Sequence, residues 1–265
     1  MKRINKKIKK MKTFIKLKIV LLLFVSFLFS SCELDVQDTF DFKTGAVDED
    51  PFENITAWEF IQSKNGVNED GTLLFEHFQY MEAAIKKAGM IEEFNQTEDT
   101  QRTYLLLNNA AMTGGGDVIE IVTGSAATTI TVLDGDGNPV LDENGDAVKN
   151  QLTPEEVFER VDTPEKLEKL RTLLKYHITL DYVQQVPTLA VEGTFYVFQT
   201  LIPGDDGLIA YRRDADWDIK VNERGAPLPN SAFSGGWNEN VRNHNYVFNN
   251  GIGHIINDPV RNQPY

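Results

Sequence analysis

Apolar positions along the chain fall into helical spacing first and strand-like alternation later. Ile55 to Asn65 reads as a short helix. Thr72 to Ala88 follows, with Leu74, Phe78, Met81, Ile85 and Ala88 spaced for one buried face and Gly89 as its stop. Arg102 to Leu107 is a strand by composition. Between Thr113 and Asn150 the text turns β-rich and looped, as VIEIV, then TTITVL, then DGDGNPVLDENGDAV. Helices resume at Thr153-Pro154-Glu155-Glu156, a capping box with proline in the first turn. A second start lies at Asp162-Thr163-Pro164-Glu165, after which Leu167, Leu170, Leu173 and Leu174 face inward. Strand-like runs then cover Thr194 to Thr200, Leu208 to Arg212, Trp217 to Val221, Tyr246 to Phe248 and Gly251 to Ile256. No internal repeat is evident. Helices followed by strands predict an α+β domain, and residues 54–265 have the length of a single one.

The pattern upstream is different. Residues 1–31 hold nine Lys and Arg and no acid, then an apolar run from Ile19 to Phe29, then Ser30, Ser31 and Cys32, the order of a secretory signal. The run has eleven residues, whereas a helix needs roughly 20 to span a bilayer, so it is no stable anchor by itself. Met1 and Met11 both offer a start. Cys32 is the only cysteine, which excludes an intrachain disulfide and a structural cysteine zinc site. Phe29-Ser30-Ser31-Cys32 resembles a bacterial lipobox. That resemblance implies that residues 1–31 are removed, that Cys32 becomes the acylated first residue, and that the mature protein is tethered to a bacterial membrane. Several acyl chains at about 0.8 kcal/mol per buried CH₂ anchor firmly where one does not. Residues 32–53 are acidic with few large apolar side chains, as expected of a solvated, flexible tether. Acidic residues directly behind the lipidated cysteine resemble those of lipoproteins exported to the surface of some outer-membrane bacteria, which implies an outer-membrane, cell-surface location.

Charge narrows the partners. The chain carries 26 basic and 40 acidic residues; without the nine basic ones of 1–31 the balance is 17 against 40, about −23. Such a surface repels phosphate backbones, so no nucleic acid is expected as a partner. It also keeps the body off anionic lipid.

Little in the sequence points to a reaction. Asp134, Asp136 and Asn138 alternate as in an EF-hand loop, but Pro139 and Gly145 stand where that loop needs Gly and Glu. Two Gly-rich turns flanking Pro139-Val140-Leu141 fit hairpins better, with Asp and Asn supplying turn chemistry. There is no G-x-S-x-G elbow, no H-E-x-x-H and no phosphate loop, and Gly114-Gly115-Gly116 lacks the rest of a nucleotide fingerprint. Paired carboxylates are too common in so acidic a chain to discriminate. The expectation is a protein without catalytic residues, metal or cofactor. Trp217, Phe233 and Trp237 lie among Gly, Asn and Ser, a composition that suits stacking on sugar rings if the aromatics are exposed and core if they are buried.

Three fragments in order, RTYLLLNNAAM, LRTLLKYHI and NNGIGHIIND, resemble the signatures of the fasciclin-like domain, an adhesion module of insects, vertebrates, plants and bacterial surface proteins. Thr103, Asn109 and Ala111 match the first signature, with Leu107 in place of a proline and Asn108 in place of a threonine. Tyr176 and His177 match the Tyr-His pair, and Asn250, Gly251, His254 and Ile256 match the last signature, from which Gly253 and Asn257 depart. The resemblance implies a β-sandwich or wedge of mixed strands with helices at one side, and an insertion at about 113–150. It also marks Tyr176 and His177 as candidates for partner contact. The residues themselves place Ile252, His254 and Ile256 on one strand face, so His254 is expected inside, satisfied through both ring nitrogens, and structural like Asn109. Two functions remain: a surface adhesion or interaction module for a protein or glycan ligand, and an accessory lipoprotein of an outer-membrane uptake complex for glycan or peptide, packed on a transporter.

Overall fold

Short-range hydrogen bonds fix where the elements begin. The Thr56 hydroxyl accepts from the Glu59 N–H while the Glu59 carboxylate accepts from the Thr56 N–H at 2.9 Å, a capping box that opens helix α1 (Ala57–Ser63). The computed structural model describes residues 51–66, 73–74, 76–99, 101–229 and 239–260, all within the compact unit Glu49–Tyr265. Helix α2 (Gln79–Ala88) is shorter than the apolar spacing predicts, because its first turn is capped from elsewhere: the Tyr80 N–H donates to the Asn109 carboxamide at 3.2 Å. Met81, Ile85 and Ala88 are buried as its spacing requires, and Gly89 closes it at φ 68°. Helix α3 (Ile91–Asn95) follows, then strand β1 (Arg102–Leu107) at the expected residues.

The next segment corrects the strand expected at VIEIV. Helices α4 (Asn109–Thr113) and α5 (Val118–Thr123) occupy it, the latter ended by Gly124 at φ 82°. Val118, Ile119 and Val122 point into the core at helical spacing, a case in which a five-residue apolar run carries no unambiguous period. The extra β structure is therefore confined to an arm, β2 (Thr129–Thr131) paired with β3 (Lys149–Gln151). Helices α6 (Pro154–Glu159) and α7 (Pro164–Tyr176) start at Thr153 and Thr163, whose hydroxyls accept from the N–H three residues on.

Strands β4 (Ile178–Thr179), β5 (Phe195–Gln199), β6 (Leu208–Arg213), β7 (Ile219–Val221), β8 (Glu239–Phe248) and β9 (Gly251–Ile256) join β1 in one sheet, ordered β4-β1-β9-β8-β7-β6-β5. Only β1 and β9 run parallel; the other neighbours are antiparallel. The two edges nearly meet, since Thr179 bridges Thr200 and the Leu180 N–H donates to the Gln199 carbonyl at 2.8 Å. The architecture is α+β, with helices against a nearly closed mixed sheet. Thr103 to Leu107 and Gly251 to Ile256 are all buried, so β1 and β9 are covered on both faces and read as apolar runs more than as alternation.

Candidate functional site

The residues that carried the fasciclin-like resemblance lie on or beside β4, β1 and β9, the neighbouring strands at one end of the strand order. His254 and His177 are both 0% exposed. His254 Nδ1 accepts from the Asn245 N–H at 3.1 Å and Nε2 lies 2.8 Å from the Val183 carbonyl, to which it donates. His177 accepts from the Val260 N–H through Nε2 at 2.9 Å and donates from Nδ1 to the Leu173 carbonyl at 2.8 Å. Each imidazole is thus neutral with a fixed tautomer, and burial pushes each pKa down to about 4. Neither ring has a nitrogen left for a proton transfer or a metal. Tyr176 is also fully buried, its hydroxyl donating to the Leu208 carbonyl at 2.7 Å and accepting from Asn222. This corrects the expectation of a partner contact at Tyr176 and His177, which have no surface to offer. Asn109 grips the Leu74 carbonyl at 2.8 Å as well as capping α2, and Asn250 joins the Ala57 N–H to the Phe94 carbonyl.

The exposed chemistry lies on β8, far longer than the three residues expected. Its pairing with β9 slips twice, between Val241 and Asn243 and between Asn243 and Tyr246, and Asn245 adopts φ 64°. Such bulges turn side chains out of the ladder, here Arg242, Asn243 and His244, all exposed. On one side of them opens a cleft of about 540 Å³ with Phe60, Phe78, Tyr246 and Ile255 as its floor and Lys64, Glu76 and His77 at its rim. The Lys64 ammonium lies over the Phe52 and Phe60 rings at 5.3 and 5.8 Å, and Arg242 pairs with Glu76 at 2.9 Å. A shallower depression of about 440 Å³, lined by Phe52, Arg242, Asn243, His244, Asn245 and Tyr246, continues the surface.

Beyond it stands Trp217, 54% exposed. Its turn repeats the arm's chemistry. In Asp134–Asn138, Asp142–Asp146 and Asp214–Asp218, the first carboxylate accepts from the N–H groups two and four residues on, at 2.9 to 3.0 Å, and its own N–H donates to the fifth carbonyl. Those carboxylate oxygens hold backbone turns, as the Asp and Asn content of 134–146 implied; the third turn corrects the strand expected to begin at Trp217, which starts only at Ile219. The fourth residue of each turn has positive φ: Gly137 at 84°, Gly145 at 86°, and in the third turn Trp217 at 67°. The Arg213 guanidinium lies 4.2 Å from the Trp217 ring centroid and is itself held by the Leu189 and Ala190 carbonyls at 3.0 and 2.8 Å. Gln185 donates to the Trp217 carbonyl and to His244 Nε2, the latter at 3.1 Å, and so links the turn to the bulged strand.

Cys32, Phe233 and Trp237 lie outside the described residues. The cleft, the bulges and Gln185 were missed by sequence reasoning; the NVRNHN run before Tyr246 was their only trace. Among the described residues no group of three or more His, Cys, Asp or Glu is placed to hold a metal. No family model matches the chain, and no curated protein does.

Proposed function

We propose that this protein is a membrane-anchored, non-catalytic recognition module of the bacterial cell envelope, built on a fasciclin-like domain. The observation that carries the reading is the division of labour between its polar groups. The matched residues of all three signature fragments sit on or beside β1, β9 and the start of β4, where their side chains hold the framework. The exposed groups on β8 and its neighbours are amides, an imidazole and aromatics beside a cleft, the composition of a binding surface. A fasciclin-like wedge is supported by the way β1, β9 and the Tyr-His segment meet: the Leu105 N–H donates to the His177 carbonyl at 2.9 Å, and Leu105 faces His254 across the parallel pair.

Cells producing the full chain are expected to be retained on surfaces coated with protein or polysaccharide where cells lacking it wash off; equal retention overturns the reading. A role as accessory to an outer-membrane uptake complex is the second reading, favoured by the projecting Trp217. Co-purification of a transporter with the detergent-solubilised full-length protein would select it.

A further inference from the structure

We infer that Trp217 and the bulged face of β8 form a binding strip for a neutral glycan, with the indole as stacking platform and Gln185, Asn243 and His244 as hydroxyl partners. The inference rests on the recognition-module reading and names its ligand class.

Its first support is conformational. Two of the three equivalent turns place glycine at the fourth position, where φ is 84° or 86°, because a Cβ is disfavoured there. The third places the bulkiest side chain at that same point. A large residue held at positive φ persists only where its surroundings fix it. Here they do: the Trp217 N–H donates to the Asp214 carbonyl at 3.2 Å, its own carbonyl accepts from Gln185, and Arg213 lies against the ring. Arg213 is 7% exposed and tied to two carbonyls, so one indole face rests on a fixed planar support. More than half of the tryptophan still faces solvent. The turn itself does not require the ring, since Gly137 and Gly145 build the same turn without a side chain.

Its second support is the chemistry alongside. His244 accepts from Gln185 through Nε2, which leaves Nδ1–H as a donor. The Gln185 amide nitrogen is engaged with Trp217 and His244, which leaves the Gln185 carbonyl oxygen as an acceptor. Asn243 is exposed and supplies both an acceptor and a donor. The strip then runs through the shallow depression to the Phe52 and Tyr246 rings, whose centroids lie 5.8 Å apart. A pyranose ring has one apolar C–H face and an edge of vicinal hydroxyls that donate and accept at once, which matches an indole face beside amides and a neutral imidazole. The charges select a neutral sugar. Arg242 is paired with Glu76 and Lys220 with Asp214 and Asp218, while exposed Asp216 beside Trp217 opposes an acidic one.

Affinity electrophoresis of detergent-solubilised full-length protein tests this, in native gels cast with amylopectin, arabinoxylan, galactomannan or laminarin, and with polygalacturonate as the anionic comparison. Retardation is expected in at least one neutral gel and not in polygalacturonate. Trp217→Gly should weaken it at least tenfold while the melting temperature holds or rises, because glycine is at ease at φ 67°; Trp217→Asn, also tolerant of that conformation, should do the same, and Asn243→Ala should weaken retardation several-fold. The inference is overturned if no neutral gel retards the protein, if polygalacturonate retards it best, or if Trp217→Gly migrates like the wild type. It is also overturned if both Trp217 variants melt more than about 5 °C lower, which would make the ring a packing group. Wild type that ignores every glycan while its cells still hold to protein-coated surfaces would remove this inference and leave the recognition-module reading in place.

Discussion

His177 and His254 each commit both ring nitrogens to backbone groups, and acid is the perturbation that finds such residues. Protonating either imidazole would put a second N–H where the Val260 or Asn245 N–H already points. With each pKa near 4 in the folded state and near 6.5 in the unfolded chain, the unfolded state binds more protons between those values. Stability is therefore full above pH 6.5 and falls as pH drops toward 4, by about 3 kcal/mol per histidine at about 1.4 kcal/mol per pKa unit. Urea titrations at pH 7, 6 and 5 should show a midpoint that declines with acid, and His254→Gln should be less stable at pH 7 with a flatter decline. A wild-type midpoint constant from pH 7 to 5 would show that the rings are not sealed. Asn108 and Asn257, two positions that depart from the signatures, hydrogen-bond to each other at 2.6 Å across 149 residues, so the departures occur together.

At the scale of elements, how legible the fold was depended on where each element finds its partners. β1, β9 and the starts of α6 and α7 were readable because their signals are local: apolar composition in the strands, Thr-Pro-Glu caps in the helices. The start of α2 was not, since Asn109 caps it from another element. β8 was read as three residues because its outward half is Arg, Asn and His, which only the sheet's geometry makes a strand. Of the site, the sequence showed Trp217 but neither the bulges nor the Gln185 bridge. The expected absence of repeats also fails in the arm, where Val132, Val140 and Val148 recur every eight residues and pass a hydrogen bond around a ring, each N–H to the next carbonyl at 2.8 to 2.9 Å. That arm is self-contained. Ile130, Leu133 and Leu141 are exposed, and the Leu152 N–H meets the Thr128 carbonyl at 2.9 Å, which brings its two ends together. Replacing Ile130 to Asn150 by an Asn-Gly turn should change the melting temperature by no more than about 3 °C, since little apolar area is lost. A larger drop would assign the arm a share in the core.

For the whole molecule, the proposed membrane attachment rests on Cys32 and on charge. The eleven-residue run from Ile19 to Phe29 is shorter than the roughly 20 residues a helix needs to span a bilayer, and no helix among the described residues is long and apolar enough to do so. With residues 1–31 removed, as proposed, the body would carry about −23 and be repelled by anionic lipid, so charge would not supply the attachment. On the proposed reading, acyl chains on Cys32 supply the attachment, and that reading predicts a particular pattern. High salt should leave the wild-type protein in the membrane pellet, because salt screens charges and does not extract hydrocarbon. Partition between detergent and aqueous phases should place the wild type in detergent and Cys32→Ser in water, with the same melting temperature for both, since the framework residues all lie beyond Glu49. Retention of Cys32→Ser in the detergent phase would sink the lipid anchor and return the apolar run of 19–29 to the role of an uncleaved attachment.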